Sequence, residues 1–273
     1  MYIDSHCHLS FPELAADHPG VLDRMRRAGV SAAMNVCVRM EEFADVLALA
    51  ETQPDIFATV GAHPDTTQSQ EPTVEQLVAR AAHPRVLAIG ETGLDYYRLE
   101  EPLDWQRDRF RVHIRAARQA GKPLVVHTRS APEDTLKILK EERASEAGGV
   151  MHCFTESLEF AREALELGFY ISFSGIVTFR NAGALQAIVP HIPLDRLLIE
   201  TDAPYLSPVP YRGKINEPAR VVAVAQKLAE LTSQPVSAIA RATHDNFLKL
   251  FRPPSPESST PPMFPAVEGT RIM

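Results

Sequence analysis

Leu197-Leu198-Ile199-Glu200-Thr201-Asp202 is a short apolar run that finishes on a carboxylate. It is too short for a helix and rich in Leu and Ile, as a strand buried on both faces should be. Short apolar runs ending on a carboxylate or imidazole recur upstream in Ala88-Ile89-Gly90-Glu91, Leu124-Val125-Val126-His127 and Gly149-Val150-Met151-His152, and a first strand near the start of the sequence carries Asp4-Ser5-His6-Cys7-His8. Strands are predicted over residues 2–9, 31–38, 56–62, 86–90, 123–128, 149–154, 169–174 and 196–201. Amphipathic stretches between and after them predict helices over 20–28, 40–51, 73–82, 105–120, 131–142, 157–167, 181–189, 218–231 and 235–248. In the longest of these, Phe110, Ile114 and Ala117 fall on one stripe and Gly121 is the stop signal.

Strands alternating with helices predict an α/β protein, a TIM-type (β/α)8 barrel, for which ~250 residues is the usual size. An open doubly wound sheet shares this local pattern but holds its first and last strands at opposite edges. Reactive residues end both of those strands here, and only closure brings them together. The barrel domain is read as residues 1–251. Residues 252–273 hold six of the 22 prolines with Ser, Thr and Glu and no sustained periodicity, and are read as a flexible tail.

The 273 residues carry 28 Lys and Arg against 35 Asp and Glu, a formal charge of −7. Coating nucleic acid by bulk electrostatics is therefore not expected, although a local site is compatible with that charge, since bound cations reverse the sign within a cleft. Three cysteines are too few for a disulfide scaffold and favour a reducing compartment. With no basic, then apolar, leader at Met1-Tyr2-Ile3-Asp4 and no bilayer-length apolar run, the expectation is a cytoplasmic protein without a membrane role.

His6 and His8 stand two apart on a strand, so both leave one face while Cys7 leaves the other. Chance polar residues at a terminus would account for that pair alone. Helix capping would account for any single carboxylate among the others. His6, His8, Glu91, His127, His152 and Asp202 together, all at C-terminal strand ends, point instead to metal ligation. Four imidazoles and two carboxylates exceed the needs of one tetrahedral zinc and suit two divalent cations, Mg²⁺, Mn²⁺ or Zn²⁺. His6, His8 and Asp202 would hold one, His127 and His152 the other, and Glu91 would bridge. Cys7 and Cys153 adjoin the histidines and are expected to face away and pack as small hydrophobes.

These motifs, with Gly61-Ala62-His63-Pro64, Thr92-Gly93-Leu94-Asp95-Tyr96, His152-Cys153-Phe154-Thr155, Ser172-Phe173-Ser174-Gly175, Glu200-Thr201-Asp202-Ala203-Pro204-Tyr205 and Arg212-Gly213-Lys214, resemble the TatD family of metal-dependent deoxyribonucleases, in particular its YcfH-like branch. The resemblance runs from Met1 to about Phe251. It implies a TIM-barrel hydrolase using divalent cations, several members acting as 3′ to 5′ exonucleases, and it assigns the same six ligands. It also implies that His63 lies close to the metals as a substrate-contacting or supporting residue. Ser130 stands where relatives often carry an acid, and Ile215 occupies a variable position; neither removes a ligand.

The expected reaction is hydrolysis of a phosphodiester at a DNA (or RNA) end, through local contact and without an obligate protein partner. Asp202 and Glu91 are the catalytic candidates, Asp202 both holding metal and orienting or deprotonating the water. Glu200, one step deeper, is read equally as supporting the site or as taking part in the chemistry. His63, Arg129, Arg212 and Lys214 are the candidate phosphate contacts, with Arg180 also near a C-terminal-face loop. Tyr96, Tyr97, Phe179 and Tyr205 either stack a base or pack under loops. The same ligands would equally serve a small-molecule amidohydrolase or lactonase, since nothing in their number separates carbonyl from phosphorus. A third alternative is a non-enzymatic, metal-stabilised binding protein.

Overall fold

The computed structural model describes residues 1–67, 69–97 and 103–254. Its strands are β1 Tyr2–Cys7, β2 Val30–Asn35, β3 Ile56–Val60, β4 Val86–Asp95, β5 Leu124–Arg129, β6 Gly149–Met151, β7 Phe169–Phe173 and β8 Leu197–Ile199. They pair in parallel in sequence order. The helices are α1 Pro12–Ala15, α2 His18–Arg27, α3 Phe43–Thr52, α4 Val74–Ala81, α5 Asp104–Ala120, α6 Pro132–Glu141, α7 Leu158–Glu166, α8 Gly183–Ile188, α9 Val221–Thr232 and α10 Val236–Phe251.

The sheet closes through the chain just beyond β8. Cys7 bridges Ala203 in parallel. His8 N–H donates to Ala203 O at 2.7 Å, and Asp202 N–H donates to His6 O at 2.9 Å. A buried carboxylate reinforces the seam: Asp4 accepts from Thr201 N–H at 2.9 Å and from Thr201 Oγ1 at 2.5 Å. The open-sheet alternative is thereby excluded, and the barrel expectation holds.

Element boundaries depart from the sequence reading where backbone or capping chemistry intervenes. Strand β6 stops at Met151 because Cys153 turns left-handed (φ 44°), and β8 stops at Ile199 ahead of Asp202 (φ 56°). Strand β4 runs on to Asp95 rather than ending at Gly90, since Thr92 to Asp95 pair with Val126 to Arg129. Helix α2 starts at His18, before the apparent breakers Pro19 and Gly20. Proline is tolerated in a first turn, and Asp17 caps the helix by accepting from Gly20 N–H at 3.2 Å. Four-residue α1 carries too little periodicity to be read in sequence. Helix α10 ends at Phe251, with Arg252 left-handed after it; the tail from 255 to 273 lies outside the described residues.

Two apolar layers follow from strand alternation. Val125 lies two residues before His127 and Val150 two before His152, so these share the inner face with Ile3, Met34, Phe57 and Leu198. Phe247 and Phe251 of α10 cap that inner cluster from below. The larger cluster packs the outer faces of the strands against the helices. The filled lower barrel leaves polar inward positions only toward the C-terminal ends. No helix among the described residues is long and apolar enough to cross a membrane.

Candidate metal centre

Irregularities in two strands aim the inward residues. Between Asp4 and Cys7, β1 advances three residues against two on β2, and between Ile89 and Thr92, β4 advances three against two on β5. Each is a bulge, and the second falls on Gly90-Glu91. Glycine is required around it: Gly93 adopts φ 135°, and a Cβ there would sit 1.9 Å from His127 O. Close passage of β4 against β5 thus carries Glu91 and His127 inward together.

Glu91 divides its carboxylate between two groups. Its Oε2 lies 3.2 Å from His6 Nε2 and 3.8 Å from His8 Nε2. Its Oε1 lies 3.2 Å from His63 Nε2, 3.2 Å from His127 Nδ1 and 2.7 Å from His152 Nε2. Asp202 joins the first group, with Oδ1 3.4 Å from His8 Nε2 and 3.7 Å from His6 Nε2. The inner nitrogens of His6 and His8 are 3.3 Å apart, and those of His127 and His152 are 3.4 Å apart.

The donor set fits divalent cations on two grounds. Two atoms each 2.0–2.1 Å from one tetrahedral ion are about 3.3 Å apart, and most of these spacings fall there. Four rings are also tied at their outer nitrogen to an acceptor. His8 Nδ1 faces Val36 O at 3.2 Å, and His63 Nδ1 faces Asp65 Oδ1 at 2.5 Å. His127 Nε2 faces Asp95 Oδ2 at 3.2 Å, and His152 Nδ1 faces Glu200 Oε1 at 3.2 Å. Each outer N–H donates, which in the neutral ring leaves the inner nitrogen with a bare lone pair, the tautomer that a metal-ligating histidine needs.

Electrostatics agree with a site built for positive charge. Burial pushes the Glu91 carboxyl up, but His152, His63 and His6 outweigh it and hold it well below the ordinary range. Asp202 behaves alike: burial is overcome by the hydrogen bond from His8 and the charges of His6, His8 and His152. Burial, aided by His152, lowers His6 and favours its neutral form. For His63, burial is outweighed by Glu91 and Asp65, which raise it to about 9. Glu91 and Glu200 likewise overcome burial to raise His152.

All six sequence-predicted ligands converge, and so does His63. The resemblance left His63 near the metals in a contacting or supporting role; its Nε2 sits among potential ligand atoms with Glu91 and His127. Of the two roles open to Glu200, its contacts favour support: it accepts from Cys153 N–H at 2.7 Å and faces His152. The cleft above the cluster encloses about 630 Å³, with Phe11, Arg39, Arg129, Thr155 and Tyr205 in its walls.

Among the candidate phosphate contacts, Arg129 lines this cleft, its guanidinium 3.9 Å above the Tyr97 ring. Arg212 and Lys214 do not line it. They are exposed on the long connection after β8, with Arg212 laid over Phe179 at 3.7 Å and donating to Ser207 O. Arg180 is also exposed and away from the lining. Tyr96 is committed to packing and donates its hydroxyl to Asp134 at 2.6 Å.

Cys7 faces outward as expected, its thiol on Met34 O, whereas Cys153 is a correction. It lines the cleft and contacts Ser174 Oγ at 3.1 Å, because strand alternation has already ended at Met151. Phe11, Arg39, Asp65 and Asp95 were not found from sequence. Phe11 follows His8 by three residues and stacks on it with ring centres 4.7 Å apart, a proximity that could have drawn attention to it.

Comparison with known proteins follows this geometry. Residues 3–252 match the family described as TatD related DNase. The chain belongs to the TatD family. The metal-dependent hydrolase YcfH of Escherichia coli strain K12 is 45% identical over 252 residues, covering 91% of this chain and 95% of that protein. YabD of Bacillus subtilis strain 168, also named a metal-dependent hydrolase, is 41% identical over 253 residues, covering 92% and 99%. The crystal structure of the TatD homologue YjjV from Escherichia coli superposes with a TM-score of 0.86 at 32% identity, covering 93% of this chain and 98% of that one. TatD-family membership thus spans the whole described barrel.

Proposed function

We propose that this TatD-family chain is a hydrolase using two divalent cations and that it removes nucleotides from the 3′ end of DNA. The observation that carries the two-cation reading is the split of the Glu91 carboxylate, one oxygen toward His6 and His8 and the other toward His63, His127 and His152. His6, His8 and Asp202 would hold one ion, His127 and His152 the other with His63 beside it, and Glu91 would serve both. Such ions supply Lewis acidity at a phosphoryl oxygen and lower the pKa of water.

The protein's own groups account for the rest of the chemistry. The Asp202 side chain is 16% exposed against 3% for Glu91, so it fronts the cleft. Held ionised by His8 and His6, it is competent to orient a water and accept its proton. Arg39, 3.7 Å from Glu42, and Arg129, over Tyr97, line the cleft, and a guanidinium is suited to bidentate contact with a phosphodiester. Phe11 and Tyr205, edge to face at 6.1 Å, give an aromatic wall beside His8 on which a terminal base can stack. This combination of cationic and aromatic walls supports a nucleic-acid end over a lactone.

The test is hydrolysis by metal-stripped protein restored with Mg²⁺, Mn²⁺ or Zn²⁺, assayed on labelled single- and double-stranded DNA and RNA and on a lactone panel. Stepwise shortening from the 3′ end is expected. Turnover of lactones alone would overturn the nuclease reading, and no metal-dependent turnover of any substrate would overturn the enzyme reading.

A further inference from the structure

We propose that Arg109 and His113, one turn apart on α5, are positioning residues that set the place of His63 in the metal centre. The inference rests on the reading of that centre given above. His63 lies beyond the end of β3 at Val60, so the regular strand ladder does not hold it. Its own amide donates to Val38 O at 2.9 Å. Besides ties within the segment, residues 62, 63 and 66 are each bound to α5.

Arg109 is 3% exposed and spends its guanidinium on this loop. Nη1 donates to His63 O at 2.7 Å and to Thr66 Oγ1 at 3.0 Å, and Nη2 donates to Thr66 O at 3.0 Å. Nε donates to Glu71 Oε2 at 2.9 Å, and Nη2 also reaches Glu71 Oε1, so the buried charge is compensated. Trp105, one turn back, lies under the guanidinium with 4.7 Å to its ring. His113, one turn on, donates from Nδ1 to Arg109 O at 2.8 Å and accepts the Ala62 amide at Nε2 at 3.0 Å.

Residues on both sides of His63 are thus fixed to one stripe of one helix. The backbone enters through Ala62 on His113, passes His63 with its carbonyl on Arg109, and leaves through Thr66 on the same guanidinium. Asp65 then needs only to hold Nδ1 for Nε2 to face Glu91. Lysine cannot replace Arg109, because an ammonium lacks the planar fork that reaches two carbonyls and a carboxylate together. Glutamine can replace His113, since its Oε1 offers an acceptor at similar reach.

The experiment titrates metal-stripped protein with Mn²⁺ by calorimetry and follows the imidazole nitrogen resonances of His63 by NMR before metal is added. R109K and H113L are each expected to weaken one of two cation equivalents by about 10- to 100-fold, the range for groups that orient ligands. H113Q is expected to retain near-normal affinity. In an H63A background, R109K should add little, because it acts through a side chain already removed. Fully additive losses, or unchanged affinities with His63 intact, would overturn the proposal. Should R109K fail to fold, E71Q removes the charge partner from a half-exposed position and is expected to give the same one-site weakening; an unchanged titration would count against it. Should wild-type protein bind no cation, the metal-centre reading fails. The positioning claim is then judged by the His63 resonances: displaced in R109K and H113L but not in H113Q if correct, unmoved in all three if wrong.

Discussion

Around Glu91, four imidazoles, those of His8, His63, His127 and His152, donate outward, yet the metal-free cluster favours a second proton on two of them. His63 is held at about 9, and His152 is raised by Glu91 and Glu200. A ligating imidazole must be neutral, so cation uptake displaces the proton of His152, and of His63 if its nitrogen joins the ion, and affinity rises with pH through the neutral range. Calorimetric titrations near neutral pH in buffers of different ionisation enthalpy should therefore give different heats; identical heats would contradict this. Asp95, which accepts from His127, should matter through the same geometry. D95N is expected to lower metal affinity or turnover by about tenfold with the melting temperature little changed. The ligands were legible in sequence because His6 and His8 sit two apart on the first strand and Glu91, His127, His152 and Asp202 each close a short apolar run. Asp95 was not, since its link to His127 spans 32 residues and depends on the registry of β4 with β5.

At the level of elements, β4 and α5 do most to shape the site. G93A would force a side chain into φ 135° against His127 O, a backbone cost of about 1–3 kcal/mol before any clash. Thermal denaturation should show that loss together with weaker metal binding, as His127 is pushed off its place; a variant with unchanged melting and affinity would refute the close-approach argument. On α5, burial holds His113 down at about 4, helped by the Arg109 charge and opposed by the hydrogen bond to Arg109 O. Its folded value lies below the unfolded 6.5, so its contribution is complete above pH 6.5 and is lost as pH falls toward 4. That step is about 3 kcal/mol. Urea unfolding across that window should be steeper in pH for wild type than for H113L, and equal slopes would contradict the assignment. The apolar stripe of α5 was legible as Phe110, Ile114 and Ala117. The adjacent stripe of Trp105, Arg109 and His113 was not, because polar residues announce burial only once their partners on another loop are known.

Across the whole molecule, closure of the sheet turns scattered strand ends into one centre. The seam of Cys7, His8 and Asp202 brings the first and last strands together, as the reactive residues ending those two strands foretold. The phosphate contacts were legible only in part. Arg129 is the last residue of β5 and lies on the cleft, whereas Arg212 and Lys214 ride a long connection whose path local sequence does not set. A chain of net charge −7 presenting Arg39 and Arg129 beside a cation site should bind nucleic acid by local contact alone. The salt dependence of its DNA affinity should then correspond to only about two or three phosphate contacts. A steep slope would instead require a basic surface outside the cleft.

The central claim is that Glu91 serves two cations at once, and equilibrium metal titration of wild type, E91Q and H127A tests it most directly. Two equivalents are expected for wild type, weakened together in E91Q, with chiefly one affected in H127A. A single equivalent in wild type, or loss of the same one cation in both variants, would contradict it.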